Sequence, residues 1–154
     1  RTSIFDYVAV PQHQKWMNHG AFDGGLLNDS EKQLRHFYQK VMNFSLEHSS
    51  MTGHYRDLHQ SNNLSDSVYA FLRYHDQELT IVAVNFSQHT IERVCLVIPR
   101  DVIQAIKIAD GSYLLNEHIE SIQSQELRVE EGVGGFNIEL KPLASLVWVL
   151  PLNN

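Results

Sequence analysis

The chain has 154 residues, 43% of them apolar and 19% charged, which is typical of a globular protein with one ordinary domain and some additional length. Its net charge of −6, without a basic block, argues against a nucleic-acid surface. No apolar run approaches the roughly 20 residues that a membrane-spanning helix needs, so we expect neither nucleic acid nor a membrane as a partner.

The chain begins with Arg1 and carries no recognisable signal peptide, so we expect that an upstream part has been removed or that this is a piece of a longer protein. Residues 1–29 are rich in aromatic and turn residues but have no sustained period. A short helix is predicted to begin at Pro11, because proline suits the first helical position. We interpret residues 1–29 as a loop segment that packs on a larger body, since it carries large apolar side chains that are costly to expose: Phe5, Tyr7, Trp16, Met17 and Phe22.

A helix is predicted next, with Asp29 or Ser30 as its N-cap and its end near His48. Apolar residues recur along it at helical spacing and form one broad stripe. The stripe consists of Leu34, Phe37, Tyr38, Val41, Met42 and Phe44. Such a one-sided helix needs a partner surface.

The period changes to two at His54, where a short strand to His59 is predicted. A central antiparallel hairpin follows over residues 67–87. Its second strand, Leu79–Phe86, is apolar on both faces, which favours burial on both sides. The free energy gained by burying the apolar side chains of this strand is about equal to the free energy lost by ordering its backbone. The hairpin therefore requires a second layer to be stable.

Further short strands complete a predicted sandwich of seven or eight strands. They are Thr90–Ile98, Ile119–Val129, the hairpin pair around Gly132–Gly135, and Leu146–Leu150 with Trp148 pointing inward. Residues 101–110 fit a helical turn and a strand equally well. Cys95 has no partner for an internal disulfide, and its place in an apolar run predicts a buried, unreactive thiol.

No motif predicts chemistry in this chain. The nine histidines form no HxxxH or HExxH set, so we expect no metal site. There is no GxSxG, and the carboxylates give no spacing that sets up an acid–base pair across a sugar cleft: Asp6, Asp23, Asp29, Glu130 and Glu131. We therefore predict no catalytic residue and no cofactor.

Four blocks in order resemble the C-terminal third of the α-amylase family of glycoside hydrolases, family thirteen. They are RTSIFDYVAVPQHQKWMNHGAFDGGLL, LRHFYQKVMNF, VYAFLRYHDQELTIVAVNFS and the ending IELKPLASLVWVL. In that family the first block follows the last strand of the catalytic (β/α)8 barrel, and the second is the last barrel helix. The third block opens the antiparallel domain C, and the ending resembles its closing hairpin.

The resemblance implies a mainly β chain: an antiparallel Greek-key β-sandwich of the domain C type, preceded by an irregular segment and one barrel helix. The implied domains are 1–53, the end of the barrel, and 54–154, the β-domain. In that family the three catalytic carboxylates lie on barrel strands four, five and seven, so the resemblance implies that they lie upstream of Arg1. The length agrees, because a barrel needs at least about 200 residues. None of the three carboxylates is carried onto this chain. Arg1, Tyr7 and Trp16 are the candidates for contact with a glucan at outer subsites.

The implied function is that of a non-catalytic C-terminal region of a retaining α-glucan hydrolase, with the missing barrel as its partner and a periplasmic or secreted location favoured over a cytoplasmic one. One alternative is a stand-alone carbohydrate-binding β-sandwich module; another is an independent small hydrolase. Without the barrel, we expect residues 1–50 to pack on the β-domain, to be mobile, or to bury their apolar face in an oligomer contact.

Overall fold

The computed structural model of the chain describes residues 10–120 and 124–152. The chain divides into two compact units, Arg1–Met42 and Asn43–Asn154, called here the N-terminal unit and the β-unit. The division falls inside a helix, and the predicted domain boundary after residue 53 stays a prediction. None of the described helices is long and apolar enough to cross a membrane.

The N-terminal unit contains helix α1, Pro11–Met17, a 3-10 turn, Asn18–Gly20, and the first part of helix α2, Asp29–Glu47. The predicted helix at Pro11 is confirmed. The predicted N-cap of α2 is wrong by one residue, because Asn28 caps it. The Glu31 amide donates to Asn28 Oδ1, and the Asn28 amide donates to Glu31 Oε2, both at 2.9 Å. This reciprocal arrangement is a capping box.

The described part of the β-unit contains eight strands, a 3-10 turn at Ser49–Thr52 and helix α3, Arg100–Ala105. The strands are β1 (His54–Asp57), β2 (Val68–His75), β3 (Glu78–Asn85), β4 (Ile91–Ile98), β5 (Gly111–Glu117), β6 (Gln125–Glu130), β7 (Val133–Leu140) and β8 (Ser145–Pro151). They form one antiparallel sheet in the order β1-β2-β3-β8-β5-β6-β7-β4. The predicted mainly β antiparallel sandwich is confirmed.

Strand β5 joins the two layers of this sandwich. Its first five residues pair with β6, and its last two, Asn116 and Glu117, pair with β8. The layers β1-β2-β3-β8 and β5-β6-β7-β4 therefore face each other across one core. That core includes Leu72, Ile81, Leu96, Leu127, Leu140 and Trp148, all with no exposed surface. The inward direction predicted for Trp148 is confirmed.

Helix α3 and strand β5 lie where the hydrophobic periodicity did not determine the secondary structure. Residues 101–110 supply most of α3 and a turn, so the helical alternative is correct there. Residues 111–117, for which no strand was predicted, form β5. The strand predicted over Ile119–Val129 begins later, at Gln125. Alternation in β5 is weak because its two halves have different neighbours.

Two predictions of burial are wrong, at Cys95 and at Phe86. Cys95 lies on the outer face of β4, which the described residues leave exposed. Phe86 follows the last residue of β3 and is 65% exposed, although Leu79, Ile81 and Ala83 of that strand are buried. An apolar run therefore overstates burial wherever one face of a strand is open.

The hairpin predicted around Gly132 is confirmed, but its turn is Glu131-Gly132, and Gly134 and Gly135 belong to β7. Both turn residues have left-handed φ, 50° and 73°. A two-residue turn of this kind requires positive φ at both positions and favours glycine. The Asp110 carboxylate fixes the turn by accepting the Glu131 and Gly132 amides, each at 2.9 Å.

Candidate functional site

Trp16 is the one predicted glucan-contact residue that lies in the described range; Arg1 and Tyr7 lie outside it. The Trp16 ring is half-buried on α1. The Arg35 guanidinium lies 3.8 Å from the ring centroid, a cation–π contact. On another side the ring meets Gly24, where an added Cβ would come within 2.9 Å of it. Trp16 therefore anchors the loop after α1, and much of its ring surface is already used.

An aromatic cleft of about 410 Å³ lies beside this anchor, lined by His13, Trp16, Met17 and Phe22. Phe22 is 57% exposed and adopts a left-handed φ of 55°, a conformation that L residues rarely adopt. The cleft is largely apolar, and the structure brings no carboxylate of the described residues into its lining. It can bind a small apolar or ring-shaped group, but its lining holds no carboxylate pair of the kind that cleaves a glycosidic bond.

A second cluster lies on the outer face of the β-unit and was missed by the sequence reasoning. We call it the tyrosine site; it consists of Tyr55 and Asp57 on β1 and of Tyr69 and Phe71 on β2. The ring centroids of Tyr55 and Phe71 are 5.7 Å apart, and those of Tyr69 and Phe71 are 5.9 Å apart. The period of two placed Tyr69 and Phe71 on one face, but pairing with the short edge strand β1 could not be predicted from it.

Hydrogen bonds hold the tyrosine site in one arrangement. The Tyr69 hydroxyl donates to Asp57 Oδ2 at 3.4 Å, and the Tyr55 and Tyr69 hydroxyl oxygens are 2.6 Å apart. The other Asp57 oxygen accepts the amide of His59 at 2.7 Å. The hydrogen bond with Tyr55, followed by burial and the charges of Tyr55 and Asp57, raises the pKa of Tyr69 to about 12. The Tyr69 phenol is therefore neutral at physiological pH.

A third cluster, the polar joint, connects the end of α2 to β3 and consists of His48, Ser50, Glu78 and Thr80. His48 Nδ1 lies 2.8 Å from Glu78 Oε2, and the Ser50 hydroxyl donates to Glu78 Oε1 at 2.7 Å. The order is serine, carboxylate, histidine, so the histidine does not contact the serine hydroxyl as it does in a Ser-His-Asp triad. Ser50 is also fully buried. The polar joint is a structural connection, not a nucleophilic site.

Two of the carboxylates considered from the sequence, Asp23 and Glu130, have partners nearby, and Asp6 lies outside the described residues. Asp23 accepts the Gly25 amide and the Asn18 side chain, each at 2.8 Å, and the Asn18 bond, followed by the Gly25 bond, lowers its pKa. Glu130 lies near Arg128, with 3.7 Å between Oε1 and a guanidinium nitrogen. Within residues 10–120 and 124–152, no group of three or more His, Cys, Asp or Glu side chains could hold a metal ion.

In a comparison with solved structures, the fold of this chain matches one part of several α-amylases. The α-amylase of Anoxybacillus matches 88% of this chain with a TM-score of 0.56 and 18% identity. That of Geobacillus thermoleovorans, solved with acarbose, matches 81% with a TM-score of 0.56 and 19% identity. AmyP, solved with maltose, matches 80% with a TM-score of 0.53 and 15% identity.

The matched region is a minor part of each of those proteins. It covers 26%, 24% and 21% of their respective chains, so this chain spans about a quarter of their length. No protein-family model and no curated protein matches the sequence. The resemblance to the α-amylase family that the sequence predicted is thus confirmed at the level of the fold.

Proposed function

We propose that this chain is the non-catalytic C-terminal region of an α-amylase-type glycoside hydrolase acting on α-glucans. In this proposal it packs on a catalytic (β/α)8 barrel of the same polypeptide and stabilises it. The observation that carries the proposal is that nearly the whole chain matches α-amylases, while it covers only about a quarter of their length. This chain shares only 18% and 19% identity with those two α-amylases, so the step from their fold to this function is an analogy.

The exposed apolar stripe of α2 supports the proposal that the chain packs on a partner surface. Phe44, predicted as its last member, is buried, but the other members are all more than a third exposed, as is the nearby Leu46. Those members are Leu34, Phe37, Tyr38, Val41 and Met42. A soluble protein rarely leaves a contiguous stripe of this kind in water unless it marks an interaction surface. In the proposal, the barrel covers it.

The absence of a catalytic constellation among the described residues is the reason why the barrel supplies the chemistry in this proposal. There, three carboxylates cleave α-glucosidic bonds with retention, as the family resemblance implies. In the proposal, Arg1, Tyr7 and Trp16 contact the bound glucan only at outer subsites. The proposal extends to a periplasmic or secreted location and to no cofactor held by this chain.

The test begins with the intact mass of the natural polypeptide that contains this sequence. A mass of roughly 50 kDa or more accommodates a barrel of about 250 residues, and that polypeptide should release maltooligosaccharides from soluble starch. The 154-residue chain alone should release none. Turnover of a nitrophenyl maltoside by the 154-residue chain, or a natural polypeptide of only 17.7 kDa, would overturn the proposal.

A further inference from the structure

The tyrosine site combines exposed ring faces with fixed hydroxyl groups. Tyr55 is 51% exposed, and the half-buried rings of Phe71 and Tyr69 continue the surface next to it. The interplanar angles are 36° between Tyr55 and Phe71 and 40° between Tyr69 and Phe71. His59 extends the row, with its ring centroid 6.0 Å from that of Tyr69. The result is a shallow aromatic surface on the edge of the sheet.

The hydrogen bonds leave acceptor atoms at the rim of this surface. The Tyr69 hydroxyl donates to Asp57 Oδ2, the bond between the two tyrosine hydroxyls can run in either direction, and in both directions the Tyr55 oxygen keeps a lone pair. The Tyr55 oxygen can therefore still accept hydrogen bonds, as can Asp57 Oδ2. A ligand with hydroxyl groups along one edge and C–H groups on one face can donate hydrogen bonds to these acceptors and stack on the aromatic rings.

The charges around the site favour a neutral ligand. The two arginines nearest in sequence are engaged elsewhere. Arg56 pairs with Asp101, and Arg73 donates to the carbonyls of Ser50 and Gly53, at 3.3 and 3.0 Å. The only formal charge within the site is the Asp57 carboxylate, which disfavours phosphates and other anions.

From these features we infer that the tyrosine site binds the pyranose rings of a neutral oligosaccharide, by stacking on Tyr55 and Phe71 and by hydrogen bonds to Tyr55 and Asp57. The choice of a glucose-type oligosaccharide rests on the proposed function; the ring-and-acceptor chemistry does not. The site is preorganised, because tyrosine has few rotatable bonds and the hydroxyl chain fixes both rings.

The experiment is calorimetric titration of the 154-residue chain with maltoheptaose. Tyr55→Ala should weaken binding at least about tenfold, because it removes both the most exposed ring and an acceptor. Tyr55→Phe keeps the ring and removes the hydroxyl, so it should weaken binding about threefold. Tyr38→Ala is the matched control, since Tyr38 is 60% exposed on α2 outside the site, and it should leave affinity unchanged.

Circular dichroism melting of each variant separates loss of binding from loss of folding. Tyr55 lies on an edge strand and is half-exposed, so its truncation opens no buried cavity. Three results would overturn the inference: no binding of maltoheptaose at millimolar concentration, equal affinity in Tyr55→Ala, or a chain dimer that only Tyr55→Ala dissociates. The last result would make the site a contact between copies. None of them bears on starch hydrolysis by the natural polypeptide, so the two proposals fail separately.

Discussion

At the scale of single residues, the buried polar groups of the β-unit show what periodicity cannot reveal. Asn85 ends β3 as an ordinary polar residue in the sequence, yet its side chain is buried. Its amide donates to the carbonyls of His89, Leu140 and Lys141, and its oxygen accepts the amide and hydroxyl of Ser87. The predicted strand was correct, but these partners lie up to 56 positions away, and no local pattern indicates them.

Glu78 carries a prediction about acid stability. Burial raises its pKa, but the bonds from the Ser50 hydroxyl, His48 and the Ser50 amide outweigh burial, and the net pKa is lowered from 4.5. Because the folded-state pKa lies below the unfolded one, the contribution to stability is complete above about pH 4.5. It is lost as the pH falls through the lowered value.

We expect Glu78→Gln to reduce the free energy of unfolding at pH 7 by about 1.5–2 kcal/mol, at the lower end of the range for hydrogen bonds to charged groups. The difference from the unmodified chain should shrink as the pH falls from 4.5 through the lowered pKa of Glu78. Urea denaturation followed by circular dichroism across this pH range measures both effects. Glu139→Gln, at an exposed position of β7, is the control. An equal difference at every pH would contradict the assignment.

At the scale of elements, the long amphipathic segments could be predicted, whereas their ends and the weakly patterned pieces could not. The stripe of α2 indicates a helix because apolar residues recur with its period over the whole element. Its N-cap was misplaced because Asn28, Asp29 and Ser30 are all good capping residues. Glu31 lies three residues after Asn28, and this spacing could have identified the capping box. Strand β5 was missed because it changes partners midway.

The capping box predicts a local effect at the start of α2. Asn28→Ala should destabilise the first turn by about 1 kcal/mol, so the amide of Glu31 should exchange with solvent about fivefold faster. Glu31 should also lose part of its order, although Lys15 Nζ still contacts its carboxylate at 2.6 Å. Hydrogen exchange by NMR measures this. Ser30→Ala removes a neighbouring side chain without touching the cap and should leave the rate unchanged; equal rates in both variants would refute the cap.

At the scale of the whole molecule, the fold class and the family resemblance could be predicted from the sequence, but the composition of the exposed surfaces could not. The alternation of the strands and the inward Trp148 predicted the sandwich, because burial on one face leaves a period of two. The tyrosine site depends on the register of β1 against β2, with Asp57 opposite Phe71. Register across a long connection depends on tertiary packing, so the site could not be predicted from the residues alone.

The exposed stripe of α2 leads to a prediction about association of the isolated chain. Phe37, Val41 and Met42 are exposed on α2, so the 154-residue chain should self-associate with rising concentration. Phe37→Glu with Met42→Glu places two charges in the stripe and should keep the chain monomeric. Gln33→Glu with Gln39→Glu adds the same charge at exposed positions outside the stripe, and should still associate. Sedimentation velocity over a concentration series distinguishes the two. If both double variants remain associated to the same degree, the stripe is not the contact. If the unmodified chain is monomeric at every concentration, the exposed stripe does not drive association.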